Sequence, residues 1–317
     1  MVRAGALGDI LLLRPTLSAL RAAGWRVCLL APSAGSVLLG TGASEVEELL
    51  PWDGPELAQR LAGTATNGPL AAAIARVDAV LAYTRSDRVA AALRPRGGLW
   101  LQRDPAPPPA SRHASLWLAE PIAGLLAGGH PLGLPSLPGI SEPPELCFSP
   151  GEREAAAPLL SALPARFLAL HPGSGSPAKC WPLDRFAALA RRLAGAQPFL
   201  VVLGPAESEQ RLASLPGAVV ARELPLRTLG ALLSRAGLFV GNDSGVSHLA
   251  AASGATTLAL FGPTDPAVWS PVGRKVRALR AADHALATLS LDEVAREAAA
   301  LLAHVNGERT STRLISR

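Results

Sequence analysis

The sequence predicts an α/β protein built from two doubly wound domains, each a parallel sheet flanked by helices. Three observations carry this. Short apolar segments alternate with helical ones along most of the chain, the order that a parallel sheet with crossover helices requires. A chain of 317 residues that is 49% apolar is enough for two ordinary cores. A proline-dense segment at residues 131–150 separates two such alternating series.

In the first series, residues 9–23 have helical spacing and are closed by Gly24, residues 25–31 read as a buried strand, 71–76 as a helix and 77–83 as a strand. A helix-like stretch lies at 115–127. The proline-dense segment after it is stiff and cannot pair inside a sheet, so it reads as the linker. In the second series, strands are expected at 167–170, 198–203, 218–220, 238–240 and 256–261. Helices are expected at 182–193, 206–214, 226–234 and 245–252. Residues 291–302 form a last amphipathic helix, and 306–317 read as a frayed polar tail. The expected domains are 1–145 and 146–317, with the last helix free to pack back on the first domain.

Composition excludes several classes. No apolar stretch approaches the 18 or so residues of a membrane span, and no export signal is apparent. Cys28, Cys147 and Cys180 are too widely spaced for a metal site and read as reduced thiols. The expectation is a soluble, cytoplasmic protein. Net charge is +5, yet only Lys179 and Lys275 are lysine among 30 basic residues. In this arginine-dominated chain a lysine stands out, because an ammonium is a compact point charge. One tyrosine and six phenylalanines offer little for base stacking, and no nucleic-acid motif is present.

Three segments carry chemistry, each at a strand end entering a helix, where open α/β sheets bind ligands. Gly5-Ala6-Leu7-Gly8-Asp9 places a carboxylate at the first helix start. Asp9 there is either a helix cap, worth about 1 kcal/mol, or a general base at a cleft mouth. The dinucleotide fingerprint G-x-G-x-x-G is absent. Residues 171–182, HPGSGSPAKCWP, set small residues beside Lys179, a combination that lets an anion approach the main chain and meet a charge. The spacing is not that of a Walker A loop. The alternative is a surface loop with a solvated lysine; His171 and Trp181 read as buttresses. Residues 239–248, FVGNDSGVSH, put Asp243 and Ser244 at a helix start and His248 one turn on. The plain reading is a capped helix with a core histidine. Residues 261–266, FGPTDP, form another strand-end turn. Arg14, Arg21 and Arg26 read as surface charges rather than lipid contacts.

Taken together, ALGD at 6–9, HPGSGSPAKCWP at 171–182, NDSGVSHLAAASG at 242–254 and LFGPTDPAVWSPVG at 260–273 make the chain resemble glycosyltransferase family 9, the ADP-heptose:lipopolysaccharide heptosyltransferases. The motifs span nearly the whole chain in the family's order. The resemblance implies a GT-B fold, two Rossmann-like doubly wound domains facing a cleft, with the acceptor on the first and the nucleotide sugar on the second. It implies inverting, metal-independent transfer of heptose from ADP-heptose to a lipopolysaccharide inner-core or similar glycolipid acceptor, with no cofactor. A lipid-linked glycan acceptor would bring peripheral contact with the cytoplasmic face of the inner membrane; no nucleic-acid partner is implied.

Residue by residue, Asp9 becomes the base and Lys179 a catalytic charge. Ser174, Gly175, Ser176, Lys179, Asp243, Ser244 and Gly245 would meet the donor phosphates, with His248 completing that site. Glu207 would take the ribose and Leu224 would pack near the adenine. No Asp-x-Asp pair lies in the second half. Because Asp9 and Lys179 fall in different domains, the implied transfer needs cleft closure. Two departures stand beside the resemblance: only residues 1–5 precede ALGD, and 277–289 lacks the cysteines of many relatives. Two further readings remain open, a family 9 transferase for another nucleotide sugar or acceptor, and a non-catalytic nucleotide-sugar-binding protein.

Overall fold

The computed structural model describes residues 1–40, 45–107, 112–127, 142–204 and 215–314. They form two compact units, Met1–Pro144 and Glu145–Arg317.

Unit 1 runs β1 (Val2–Arg3), α1 (Leu7–Leu11), α2 (Arg14–Ala22), β2 (Cys28–Ala31), α3 (Ser33–Ser36), β3 (Glu48–Pro51), α4 (Pro55–Leu61), α5 (Pro69–Arg76), β4 (Ala79–Tyr83), α6 (Asp87–Leu93), β5 (Leu99–Arg103) and α7 (Ala114–Ala127). Its five strands are parallel, in the order β3-β2-β1-β4-β5. The fragment before ALGD is therefore the central strand, with Val2 opposite Leu30 on one side and Ala82 on the other.

The helix expected at 9–23 is two helices. Pro15 has no N–H to give to the carbonyl four residues back and is best placed in the first turn of a helix, so the stretch breaks just before it. α1 stops at Leu11, Leu13 N–H turns tightly onto Ile10 O at 3.1 Å, and α2 restarts with Pro15 in its first turn. Gly24 ends α2 at φ +84°, a conformation glycine takes without strain. Trp25 N–H then reaches Leu20 O at 2.9 Å.

Arg14 is the second departure in unit 1. Rather than a surface charge, it is a buried guanidinium whose Nε donates to both Glu45 carboxylate oxygens at 2.8 and 3.1 Å. Glu45 is buried with it. Burial pushes the Glu45 carboxyl above its usual range, against the opposing pull of Arg14. Arg26, by contrast, is exposed and pairs with Glu47.

Unit 2 runs α8 (Pro150–Ser161), β6 (Leu168–His171), α9 (Leu183–Ala194), β7 (Phe199–Leu203), β8 (Ala218–Arg222), α10 (Leu226–Leu233), β9 (Leu238–Asn242), α11 (Gly245–Ala252), β10 (Thr257–Phe261), α12 (Pro266–Trp269), β11 (Val276–Arg280) and α13 (Leu291–Leu314). Six parallel strands pair in the order β11-β10-β9-β6-β7-β8. β6, β7, β9 and β10 are buried along their whole length, which is why they read as apolar runs and not as alternating ones. α9 buries Phe186, Ala187, Leu189 and Ala190, one stripe at helical spacing. The helix expected at 206–214 lies outside the described residues.

Two boundaries differ from expectation. α13 continues to Leu314 where a frayed tail was expected: no proline follows Leu291, and extending a formed helix is far cheaper than starting one. Its first turns pack Val294, Ala295 and Ala298 into the unit 2 core. The second half of the expected linker is not a spacer either, since Leu146 N–H donates to Ala252 O at 2.8 Å. Arg227 of α10 donates to Cys147 O at 2.7 Å, pairs with Glu152 and sits over the Phe148 ring. Ser149 caps α8, donating its N–H to Glu152 at 2.7 Å and accepting from Glu152 N–H.

Arg227, then the Ser149 N–H, hold the Glu152 carboxyl below its usual 4.5. A carboxyl depressed in the fold stabilises it above the unfolded value, and that contribution is lost as pH falls through the folded value. In urea titrations at pH 6, 4.5 and 3, wild type should lose more stability on acidification than Glu152→Gln. Parallel acid limbs would remove the role of this pair.

Candidate active site

In unit 2 the chain leaves β6 toward β7 and β8, and later returns to add β9, β10 and β11 on the other side. The strand order therefore reverses between β6 and β9, the position where doubly wound sheets open a ligand crevice at their carboxyl ends. The two long motifs emerge there. Residues 172–182 leave β6, and residues 243–245 leave β9 into α11.

Hydrogen bonds join the two motifs. Ser174 Oγ donates to Asp243 O at 2.8 Å, and Lys179 Nζ donates to Asp243 Oδ2 at 2.8 Å. Thr264, just past β10, donates its hydroxyl to the same carboxylate oxygen at 2.6 Å. Lys179 is thus not a lysine waving in solvent: its ammonium is half-buried and tied down by a carboxylate that is itself buried. An ammonium has three N–H donors; the pair with Asp243 uses one and aims the charge. Asp243, having no donor of its own, serves here as the holder of Lys179.

Ser244 caps α11, its hydroxyl accepting from Ser247 N–H. The first-turn N–H groups at Gly245 and Val246 belong to the unsatisfied positive end of the helix. Ser174, Lys179, Ser244 and Gly245 are therefore gathered at one sheet edge, with Gly175 and Ser176 on the loop between Ser174 and Lys179. His248 is buried within α11. His171 Nδ1 bonds Val202 O at 2.9 Å, and Trp181 Nε1 donates to Leu289 O at 2.8 Å while its ring meets Phe186 edge-on at 5.0 Å. Both act as buttresses. Leu224 lies half-buried just past the carboxyl end of β8. Glu207 lies outside the described residues.

Asn242 and Thr264 carry no signal in the sequence that singles them out. Both lie inside the long motifs, but an amide or hydroxyl at a strand end is ordinary until the fold shows what it touches.

The corresponding reversal in unit 1 lies between β1 and β4, and Asp9 follows β1. Its Oδ2 accepts from Ala6 N–H at 2.9 Å, and its Oδ1 accepts from Arg3 at 2.7 Å. Asp9 stands at the third helical position, so the first bond is a carboxylate reaching back to the helix start. Gly5, at φ +147°, makes room for it: a Cβ there would lie 2.7 Å from the Asp9 side chain. Arg3 is almost fully buried on the central strand, donates also to Pro105 O at 2.6 Å, and lies over the Tyr83 ring. Burial pulls its guanidinium below the ordinary arginine value, with Asp9 opposing. The Asp9 side chain remains 31% exposed. Capping and an accessible carboxylate are one arrangement, not alternatives.

The comparisons with known proteins bear on the family and the fold. The sequence model of the family described as glycosyltransferase family 9 (heptosyltransferase) matches residues 136–298, more than half of the chain. Lipopolysaccharide heptosyltransferase 2 of Salmonella typhimurium is 30% identical over 149 residues, 43% of this chain and 43% of its own length. Lipopolysaccharide heptosyltransferase 3 of Escherichia coli is 31% identical over 115 residues, 33% of this chain and 34% of that protein. The chain thus spans less than half the length of the curated relatives it matches.

Among solved structures, a family 9 glycosyl transferase from Veillonella parvula aligns with a TM-score of 0.77 at 19% identity, covering 96% of each chain. The ADP-heptose lipopolysaccharide heptosyltransferase II of Escherichia coli aligns with a TM-score of 0.74 at 22% identity, over 96% of this chain and 99% of that one. At such identities the likeness is one of fold, and the fold is GT-B, two Rossmann-like units. With the family's sequence pattern running over more than half its residues, this chain belongs to glycosyltransferase family 9.

Proposed function

We propose that the chain is an inverting glycosyltransferase that moves heptose from ADP-heptose to a lipopolysaccharide inner-core sugar, without a metal. The observation that carries this reading is Lys179, fixed by Asp243 beside the amino end of α11 at the switch point of unit 2. In the proposed step Asp9 takes the proton from an acceptor hydroxyl, whose oxygen then bonds the anomeric carbon as the bond to the diphosphate breaks. The electron pair leaves with ADP, whose new charge meets the Lys179 ammonium and the helix amides. Preorganised donors of this kind are each worth about 3–4 kcal/mol in the transition state, which is the contribution a metal would otherwise make. A lipid-linked acceptor would bring the protein to the cytoplasmic face of the inner membrane; no helix among the described residues is long and apolar enough to cross one.

The test is a thermal-shift panel of ADP, UDP, GDP and ADP-heptose on wild type and Lys179→Ala. A ligand at 100 times its Kd should add about 2.7 kcal/mol to the folded state. Stabilisation by the ADP compounds alone, with affinity about 10- to 100-fold weaker in Lys179→Ala, is the expected result. A response to UDP or GDP instead would redirect the donor assignment within the family. No response to any of the four would overturn the reading.

A further inference from the structure

We infer that Asn242 is the positioning residue that sets the Lys179 loop in register with α11; its ligand arm rests on the nucleotide site proposed above. Asn242 is the last residue of β9 and is fully buried. Its Nδ2 donates to Pro172 O at 2.7 Å and to Gly173 O at 3.3 Å, where the loop leaves β6. Its Oδ1 accepts from Trp181 N–H at 3.0 Å, where the loop ends. One side chain thereby grips both ends of the 172–181 loop. Its own carbonyl accepts from Ser247 Oγ at 2.5 Å, so the same residue is bonded to α11.

The chemistry demands an amide. The site needs donors toward two carbonyls and an acceptor toward one N–H, all without charge in a buried place. Asparagine carries that set on a short side chain, whereas aspartate has no donor and serine too little reach. Within the loop Lys179 N–H donates to Ser176 O and Cys180 N–H to Pro177 O, and Cys180 Sγ donates to Ser176 O at 3.4 Å. Buried loop carbonyls without a partner would be costly, so the clamp and the loop conformation come together. Lys179 lies two residues from the gripped Trp181 N–H, and a displacement near 1 Å at such a group is enough to cost about 10²-fold.

The test is a double-mutant cycle of Asn242→Ala and Lys179→Ala in the full chain. ADP affinity is read by calorimetry and amide hydrogen exchange on the same samples, with Asn242→Ser as the milder substitute should the alanine variant not fold. Exchange at 174–180 should speed up in Asn242→Ala while amides of β7 keep their protection. ADP binding should weaken about tenfold to a hundredfold, and most of that loss should vanish in the Lys179→Ala background. Unchanged exchange at 174–180, or the same fold-loss with and without Lys179, would overturn the inference. Failure of wild type to bind ADP would count against the nucleotide site instead, and the exchange arm would still decide the clamp.

Discussion

Asp9→Asn should lower turnover about 10²- to 10⁴-fold while leaving ADP affinity at the wild-type value, because Asp9 and the Lys179 site belong to different units. Asparagine is the cleaner replacement. Alanine would leave the Arg3 guanidinium, buried and paired with Asp9 at 2.7 Å, without its hydrogen-bonded carboxylate, and loss of such a partner costs about 3–5 kcal/mol in its own right. Asparagine keeps one oxygen for Arg3 or for Ala6 N–H, although it can no longer serve both. The measurement is steady-state kinetics with ADP release as readout, beside an ADP titration of the same protein. Turnover equal to wild type would remove Asp9 from the chemistry, whatever the sugar. A fall in ADP affinity matching the fall in turnover would instead show unit-wide damage. Arg3→Lys should fall between the two, since a lysine retains charge but cannot reach Asp9 and Pro105 O with one planar fork.

Arg14→Ala should cost about 3–5 kcal/mol of stability. The variant strands Glu45, a buried carboxylate whose guanidinium partner has gone. Removing both partners with apolar residues, Arg14→Met with Glu45→Leu, should recover most of the loss, because the desolvation penalty of both charges disappears together. Urea unfolding midpoints of the three proteins check this. The pH dependence has a definite sign. Burial already raises the Glu45 carboxyl, and without Arg14 only the weaker pull of Arg21 opposes it. A group raised in the fold favours the folded state below its unfolded value and loses that contribution as pH rises through the folded value. The Arg14→Ala deficit should therefore shrink on acidification from pH 7 toward pH 5. A pH-independent deficit would mean that packing, not the stranded charge, is responsible.

Much of the fold was legible because parallel central strands are buried on both faces. FLVVL at Phe199–Leu203 and TLALF at Thr257–Phe261 can hardly be anything else. Edge and short strands were not legible in the same way. Glu48–Pro51, Leu99–Arg103 and Val276–Arg280 are only partly buried and carry polar residues, so no apolar run marks them. Val2–Arg3 is too short to show any periodicity, yet it is the centre of its sheet, a place that depends on neighbours far along the chain. At the candidate site, the chemical types of Ser174, Lys179, Asp243 and Ser244 stood out at strand ends. The partnership of Lys179 with Asp243 could not be read, since 64 residues separate them.

By itself the sequence determined the α/β class, the strand-end location of every motif, and membership in a family whose motifs recur here in order. Those follow from local periodicity and from residue types that need no partner to be recognised. Tertiary structure alone decided what each polar group does. It made Arg14 a buried ion pair, gave Asp9 both a helix bond and the Arg3 guanidinium, set Thr264 on Asp243, and turned Asn242 into a clamp. The physical reason is that a polar side chain takes its role from the partner that compensates its burial. For Arg14, Lys179, Thr264 and Asn242 that partner comes from far along the chain, placed by topology and not by neighbours in sequence, whereas Asp9 finds Ala6 and Arg3 close by.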